Sequence, residues 1–229
     1  MKTLSKAVAI ASLLSAGVMG AQVANAEVSY SAGVATTYLW RGTDLGGAAF
    51  SASADYAHES GAYAGLWASS GDMAYGNEYD LSVGFAKEVG DFYFDVMAAT
   101  YTYASKPEGD MGSPGENSEG VLALGYMDAS VSYTTSLISG SPSYVNLGYS
   151  IAGADIAVGI SDNDAGQEYT HFDVSYALTE QLSITVSKIV DQSNTTASLL
   201  GDDGLAGTDD DGAELDEDVI VVMSYSLPL

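Results

Sequence analysis

From Val28 the chain alternates with a period of two. Val28, Tyr30, Ala32, Val34, Thr36, Tyr38 and Trp40 form one series; Ser29, Ser31, Gly33, Ala35, Thr37, Leu39 and Arg41 form the other. The first is mostly apolar and aromatic, the second mostly small or polar, which is strand alternation and not helical spacing. The pattern returns in Phe50, Ala52, Ala54 and Tyr56 against Ser51, Ser53 and Asp55. It returns in Tyr79, Leu81, Val83 and Phe85 against Asp80, Ser82 and Gly84, and in Phe92, Phe94 and Val96 against Tyr93, Asp95 and Met97. Further runs are Val131 and Tyr133 against Ser130 and Ser132, Phe172, Val174 and Tyr176 against His171, Asp173 and Ser175, and Leu182, Ile184 and Val186 against Ser183 and Thr185. Less regular strands fit 61–70, 119–127, 144–152, 154–161 and 218–227, for about twelve in all.

The connections carry a second signal. Those at 42–47, 70–78, 104–119, 138–143, 161–168 and 191–218 are the longer ones, and they alternate with short turns at 57–61, 88–91, 127–128, 152–154 and 178–181. Transmembrane β-barrels have this asymmetry, with long external loops and short periplasmic turns. A soluble sandwich also alternates, but its wet face normally mixes both charge signs, whereas Ser, Gly, Ala and Thr dominate here. The expected fold is all-β, an up-and-down antiparallel transmembrane barrel. Aromatic residues fall near both sets of strand ends, as interfacial girdles do. Tyr38, Trp40, Tyr79, Tyr101, Tyr103, Tyr144 and Tyr169 lie toward the external ends, and Tyr30, Tyr56, Tyr63, Phe92, Tyr126, Tyr176 and Tyr225 toward the periplasmic ends. Tyrosine favours strands in any case.

The first residues read differently. Lys2 and Lys6 precede an uncharged apolar stretch, Ala7 to Met19, and Ala24-Asn25-Ala26 has the small-x-small form of a cleavage site. Residues 1–26 are therefore expected to be a signal peptide cleaved after Ala26, and 27–229 the outer-membrane domain. No later apolar run is long enough for a membrane helix, so a membrane location requires a closed barrel, which leaves no backbone group unpaired in lipid. Cysteine is absent, which excludes disulfides and thiolate chemistry.

Charge narrows the partners. The chain has 31 Asp and Glu against six Lys and Arg. Beyond the leader only Arg41, Lys87, Lys106 and Lys188 are basic. Nucleic acid is excluded as a partner, because phosphate neutralisation needs Lys and Arg; cations are favoured. With 47% apolar residues, the chain is not a disordered acidic polymer.

If the apolar series faces lipid, Arg41, Asp55, Asp80, Asp95, His171 and Asp173 point into the lumen as candidate pore-lining residues. About twelve strands give a narrow lumen, which loop 104–119 is expected to constrict. The alternative is that the inward charges pair with one another and plug the barrel. Lys188 falls on the lipid face near the external end, where it can snorkel. The external loop 191–218 is densely acidic. Asp209, Asp211 and Glu214 are weak candidates for Ca²⁺ ligands, since the full spacing of a calcium loop is not met; the simpler reading is a solvated, self-repelling loop. Enzymatic chemistry finds little support. His58 sits in a short turn, and His171, Asp173 and Ser175 are spaced about 7 Å apart along one strand face, long for a relay.

The stretch Tyr38-Leu39-Trp40-Arg41-Gly42-Thr43, followed by Asp55-Tyr56-Ala57-His58-Glu59-Ser60-Gly61-Ala62-Tyr63-Ala64-Gly65-Leu66-Trp67-Ala68-Ser69, resembles the TorF family of proteobacterial porin-like proteins. Asn77-Glu78-Tyr79-Asp80 with Gly84 continues the resemblance, and Ser175-Tyr176 to Leu182 adds to it. The resemblance implies an outer-membrane barrel and a pore without an assigned solute.

The expected function is a narrow, cation-preferring diffusion channel of the outer membrane for small solutes or ions. Its partners would be membrane lipid and lipopolysaccharide, and it would need no cofactor. The alternative is a non-conducting structural or adhesive barrel that binds Ca²⁺ through its acidic external loop.

Overall fold

The computed structural model describes residues 27–107, 111–138, 143–162, 167–194, 215 and 218–228. The expected leader, 1–26, lies outside them, as do Asp209, Asp211 and Glu214. The described residues form fourteen strands: β1 (Glu27–Ala35), β2 (Tyr38–Trp40), β3 (Thr43–Gly46), β4 (Ala49–Ala57), β5 (Ala62–Asp72), β6 (Gly76–Val89), β7 (Phe92–Tyr103), β8 (Ser118–Tyr126), β9 (Ala129–Ser136), β10 (Ser143–Ile151), β11 (Ala154–Asp162), β12 (Gln167–Ala177), β13 (Leu182–Asn194) and β14 (Ile220–Ser226).

Twelve of them, β1 and β4 to β14, close into one antiparallel barrel in which each strand pairs with its neighbours in sequence. The ring closes where β1 meets β14. That seam is short: only Gly33, Val34 and Ala35 pair, with Ser226, Tyr225 and Ser224. The other flank of β1 pairs with β4 along its whole length, from Glu27↔Ala57 to Ala35↔Ala49.

Alternation sorts the side chains as the sequence predicts. Leu81 and Val83, Phe94 and Val96, Leu122 and Leu124, and Val221 and Met223 are all exposed on the outer face. Their neighbours Asp80, Asp95, Met97, Ala123 and Val222 are buried inside. A membrane strand needs about 9–11 tilted residues, and β5, β6 and β7 meet or exceed this at 11, 14 and 12.

The short turns are tight. Gly90-Asp91 and Met127-Asp128 each join paired strand ends through two residues, as does Ala152-Gly153 with both residues at positive φ. Such turns match the strand twist. Phe92 and Tyr126 face each other at this end, ring centroids 4.6 Å apart, on the outer face.

Three boundaries differ from the sequence reading. The stretch Val28–Arg41 is not one strand, because the chain bends at Thr36-Thr37 and Tyr38 begins a separate hairpin. Alternation could not reveal this, since both pieces are strands and keep the same period. The expected loop 70–78 shrinks to 73–75, and β13 runs to Asn194 into the expected acidic loop. A bulge opposite Thr170/His171 lies within β12–β13 pairing. It inserts Val190 and keeps Ile189 inside the barrel at 1% exposure. Lys188 is paired in register with the outward Phe172.

The aromatic girdle is also different at one end. Toward the short turns Tyr30, Tyr56, Phe92, Tyr126, Tyr176 and Tyr225 are exposed and outward, but Tyr63 is buried. Toward the long loops Tyr79 is exposed, whereas Tyr38, Tyr101, Tyr103 and Tyr144 are buried in the interior. Tyr101 and Tyr103 have the parity of Asp95 and Met97, so the inner face claims them.

Candidate functional site

The hairpin β2–β3 folds into the lumen. Trp40 pairs with Thr43, so its loop is the two-residue turn Arg41-Gly42, with φ of 47° and 83°. Two positive φ values make the turn type that suits a twisted hairpin. The turn thrusts Arg41 forward as the tip.

The roots of the hairpin are the ends of β1 and β4. In the ring, β9 and β10 lie opposite that junction. Arg41 reaches this far wall. Its Nη1 and Nη2 donate to Glu119 Oε1 and Oε2 on β8, at 3.0 and 2.6 Å. The guanidinium lies 4.7 Å from the ring centroid of Tyr144 on β10 and 4.6 Å from that of Trp40. Gly42 packs on the His171 ring of β12 so closely that a Cβ there would overlap it. Tyr38 donates to Glu78 on β6, and its ring lies 6.3 Å from that of Trp67 on β5. The hairpin thus spans the lumen from its roots to the opposite side.

One half of the interior is filled. Tyr63, Met97, Ala99, Tyr101 and Tyr103 form a buried cluster, against which Trp40, Tyr75 and Met111 pack. Their hydroxyls serve the inner carboxylates. Tyr103 donates to Glu78 at 2.8 Å, Tyr101 to Glu119 at 2.9 Å, and Tyr63 and Tyr93 to Asp95 at 2.8 and 3.1 Å. Charge-assisted bonds of this kind are what a desolvated carboxylate requires.

A second network lies around His171, which is 1% exposed. Its Nδ1 is 3.0 Å from Asp173 Oδ1, and its Nε2 is 2.8 Å from Tyr144 Oη, which also accepts from Asn146. The expected separation along the strand does not prevent this contact, because the two side chains lean toward each other. Gly42 and Gly159 flank the ring and leave it room. The network runs from Asp173 through His171 and Tyr144 to the Asn146 amide, and among the described residues these bonds include no serine.

The other half of the interior keeps a cavity of about 820 Å³. Its wall on β1, β4 and β12 to β14 carries small hydroxyl residues, Ser29, Ser31, Ser51, Ser175, Thr185 and Ser224. It reaches the short-turn end at Glu59, Lys87 and Glu88, and the hairpin at Tyr38, Trp40 and Arg41. The void follows from side-chain size: tyrosines fill the β5–β8 side, and serines leave the opposite side open.

The six residues singled out in the sequence therefore separate. Arg41, Asp55, His171 and Asp173 line the cavity. Asp80 and Asp95 are not among its lining residues and sit buried on the filled side. Arg41 is on the inserted hairpin and not on a barrel strand. Loop 104–119 contributes Met111 to the filled half, but the first connection is what crosses the lumen. Sequence reasoning missed Glu78 and Glu119, the carboxylates that hold the hairpin, because both fell in expected loops. Glu78 does share the parity of Asp80, two residues on, and that was the available signal.

The sequence model of a family described as "Bacterial protein of unknown function (Gcw_chp)" matches residues 20–200. No curated protein matches the chain. Among solved structures, the chain is similar to the KdgM porin, with 9% identity, a TM-score of 0.46, and 87% of this chain and 96% of that chain covered. It is also similar to a triple mutant of the Rh. blastica porin, at 14% identity and a TM-score of 0.43 over 89% of this chain and 77% of that one. An outer membrane channel from Pseudomonas putida F1 shows 11% identity and a TM-score of 0.38, covering 93% of this chain and 98% of that one.

Proposed function

We propose that this chain, which belongs to the Gcw_chp family of bacterial proteins, is a porin-like barrel of the outer membrane that provides a narrow path for small solutes. The observation that carries this reading is the contrast between its two faces. The outside presents exposed Val, Leu, Phe and Tyr around a closed ring, and the inside is polar and holds a sizeable cavity. A closed ring is the only sheet that lipid tolerates, and the outer face suits acyl chains and lipopolysaccharide as neighbours. Export by residues 1–26, with cleavage after Ala26, is part of the same proposal, as is closer kinship with the TorF group through residues 38–85.

Cation preference is the finer proposal. Glu27, Asp55, Glu59, Glu88 and Asp173 line the cavity against Arg41 and Lys87, and Arg41 is engaged by Glu119. Lumen charge of one sign selects the opposite ion.

One observation favours a second reading, a closed structural barrel: the hairpin spans the lumen and is anchored at its tip. Conductance of folded protein in planar bilayers, with reversal potentials in a salt gradient, separates the two. Discrete steps with a cation-directed reversal potential support the channel. Inserted protein that gives no steps favours the closed barrel. We assign no hydrolytic role to the Tyr144–His171–Asp173 network, because it lacks a base–nucleophile pair.

A further inference from the structure

The contacts that seat the β2–β3 hairpin all lie toward one end of the barrel. Strands β6, β8, β10 and β12 each run from a long connection to a short turn. Glu78 is the third residue of β6, Glu119 the second of β8, Tyr144 the second of β10 and His171 the fifth of β12. At the rise of a β-strand, each is within about 13 Å of the long-loop end, measured along its own strand. Tyr101 and Tyr103, at the same end of β7, fill the space beside the hairpin. The cavity beneath has the opposite mouth. Its lining runs from the hairpin to His58, Glu59, Ser60 and Lys87 at the short turns and to Ser226 at the end of β14. Among the described residues, none in the connections that follow β5, β7, β9 and β13 lines it.

The way the hairpin is held distinguishes a lid from a part of the wall. β2 and β3 pair with each other in a sheet separate from the ring. At the far wall the hairpin is held by side chains, through the Arg41–Glu119 pair and the packing of Gly42 on His171. A segment seated by side-chain contacts opens at lower cost than a strand bonded along both edges. A backbone bond does reach it from Met73 N–H to Leu45 O, but beside the Gly46-Gly47 root, where it leaves the tip free to swing. A Cβ at Gly47 would have nothing within 4 Å, so that root has room to turn. Thr36-Thr37, the other root, lies outside both β1 and β2. Hinges of this kind are a few residues at element ends that absorb the backbone change.

We propose that the interior is a one-ended vestibule entered from the short-turn side. The β2–β3 hairpin is the lid over its long-loop mouth, hinged at Thr36-Thr37 and Gly47-Ala48, with Arg41 and Glu119 as the latch. The inference rests on the reading of the lumen as a solute path and gives that path a sidedness. Solutes enter from the short turns with the lid seated, and they cross only when the latch parts.

The chain has no cysteine, so thiols can be placed singly. Ser175→Cys puts one in the vestibule wall. Met73→Cys, at a position 82% exposed, marks the long-loop side, and Asp91→Cys, between β6 and β7, marks the short-turn side. The double variants Met73→Cys/Ser175→Cys and Asp91→Cys/Ser175→Cys are folded into lipid vesicles holding a trapped thiol scavenger. The vesicles are prepared so that Met73→Cys alone labels in part, which gives the share of barrels with long loops outward. The probe is trimethylammonioethyl methanethiosulfonate, a membrane-impermeant cation, and intact mass counts the labels on each chain. In detergent both double variants should take two labels. In vesicles, chains with Asp91→Cys should carry two labels or none, and chains with Met73→Cys should carry one. Adding Glu119→Gln should convert the long-loops-outward share of the Met73→Cys chains from one label to two, and Gly42→Ala should do so independently. Heat-modifiable gel migration verifies that each variant is folded. Two labels on Met73→Cys/Ser175→Cys chains with the latch intact overturn the proposal. So does a cysteine at 175 that stays unlabelled in detergent, or a count that neither Glu119→Gln nor Gly42→Ala changes. Labels are counted without conduction, so missing channel steps would sink the channel reading alone, and a vestibule open at both ends would sink this one alone.

Discussion

Arg41 and Glu119 meet across the interior of the barrel, 78 residues apart in sequence, through two hydrogen bonds of 3.0 and 2.6 Å. The guanidinium fork matches the carboxylate in the bidentate geometry that gives such pairs their specificity. Both side chains are largely enclosed, at 16% and 12% exposure. This pair fixes the tip of the hairpin to the wall opposite its roots.

Glu119→Gln should release that tip. Breaking a fully buried pair costs about 3–5 kcal/mol, and the residual exposure here lowers the expected loss to about 1–3 kcal/mol. Single-channel conductance should rise above that of the native protein, and the segment 36–48 should become open to protease in an otherwise folded barrel. A hairpin that stays protected, with unchanged conductance, would mean that the remaining contacts hold it without the pair.

Asp55→Asn and Asp173→Asn together should move the reversal potential in a salt gradient toward the unselective value, because both carboxylates line the cavity. Asp95→Asn, buried beneath Tyr63 and Tyr93, should move it much less. The opposite ranking would place the ion path on the tyrosine side.

Gly42→Ala tests the docking from another direction. The position has φ of 83°, and an added Cβ would run into the His171 ring. Backbone strain alone costs about 1–3 kcal/mol, so the hairpin should undock while the barrel still forms. Near-ultraviolet circular dichroism should lose aromatic signal, and heat-modifiable migration should be retained.

Val83→Arg tests the lipid assignment. Val83 is 60% exposed on the outer face, paired mid-strand with Ala64 and Ala98. A lipid-facing Arg near the midplane costs about 2–4 kcal/mol. The folded fraction in phospholipid vesicles should fall, while Ser82→Asn on the inner face should leave it near native. Equal folding of Val83→Arg and the native chain would contradict a lipid-facing outer surface.

The seam provides a test of closure. Val34 and Tyr225 are paired in register where β1 meets β14, and the chain has no cysteine of its own. The double variant Ala35→Cys/Ser224→Cys, at the next pair of the same register and one that shares no backbone hydrogen bonds, should form a disulfide. The thermal unfolding midpoint should rise by several degrees, and reduction should abolish the gain. Thiols that remain free under oxidising conditions would show the seam to be open.

The architecture was legible because it rests on local rules. A side chain's face follows from parity alone, so Val83 and Phe94 could be assigned outward and Asp95 inward without a partner in view. Turn positions such as Met127-Asp128 followed from where alternation breaks. The same parity would have placed Tyr101 and Tyr103 inside, but their proximity to strand ends suggested a girdle instead. Parity distinguishes faces, and it does not distinguish a lipid-facing ring from one turned into a lumen when only the strand end is considered.

The hairpin was not legible, and the reason is geometric. Tyr38 to Arg41 continue the alternation of β1, so nothing local marks the bend at Thr36-Thr37 or the direction the hairpin takes. Its place depends on Glu119 and Glu78, which come from distant strands, and on the absence of side chains at Gly42 and Gly159 that gives His171 its space. Sequence by itself determined the class of fold, the number of strands in the barrel ring and the sorting of apolar and polar faces, because each is a period-two property of short segments. Only the tertiary structure decided which half of the lumen is filled and where a cavity remains. Those follow from side chains of opposite walls meeting across a closed ring.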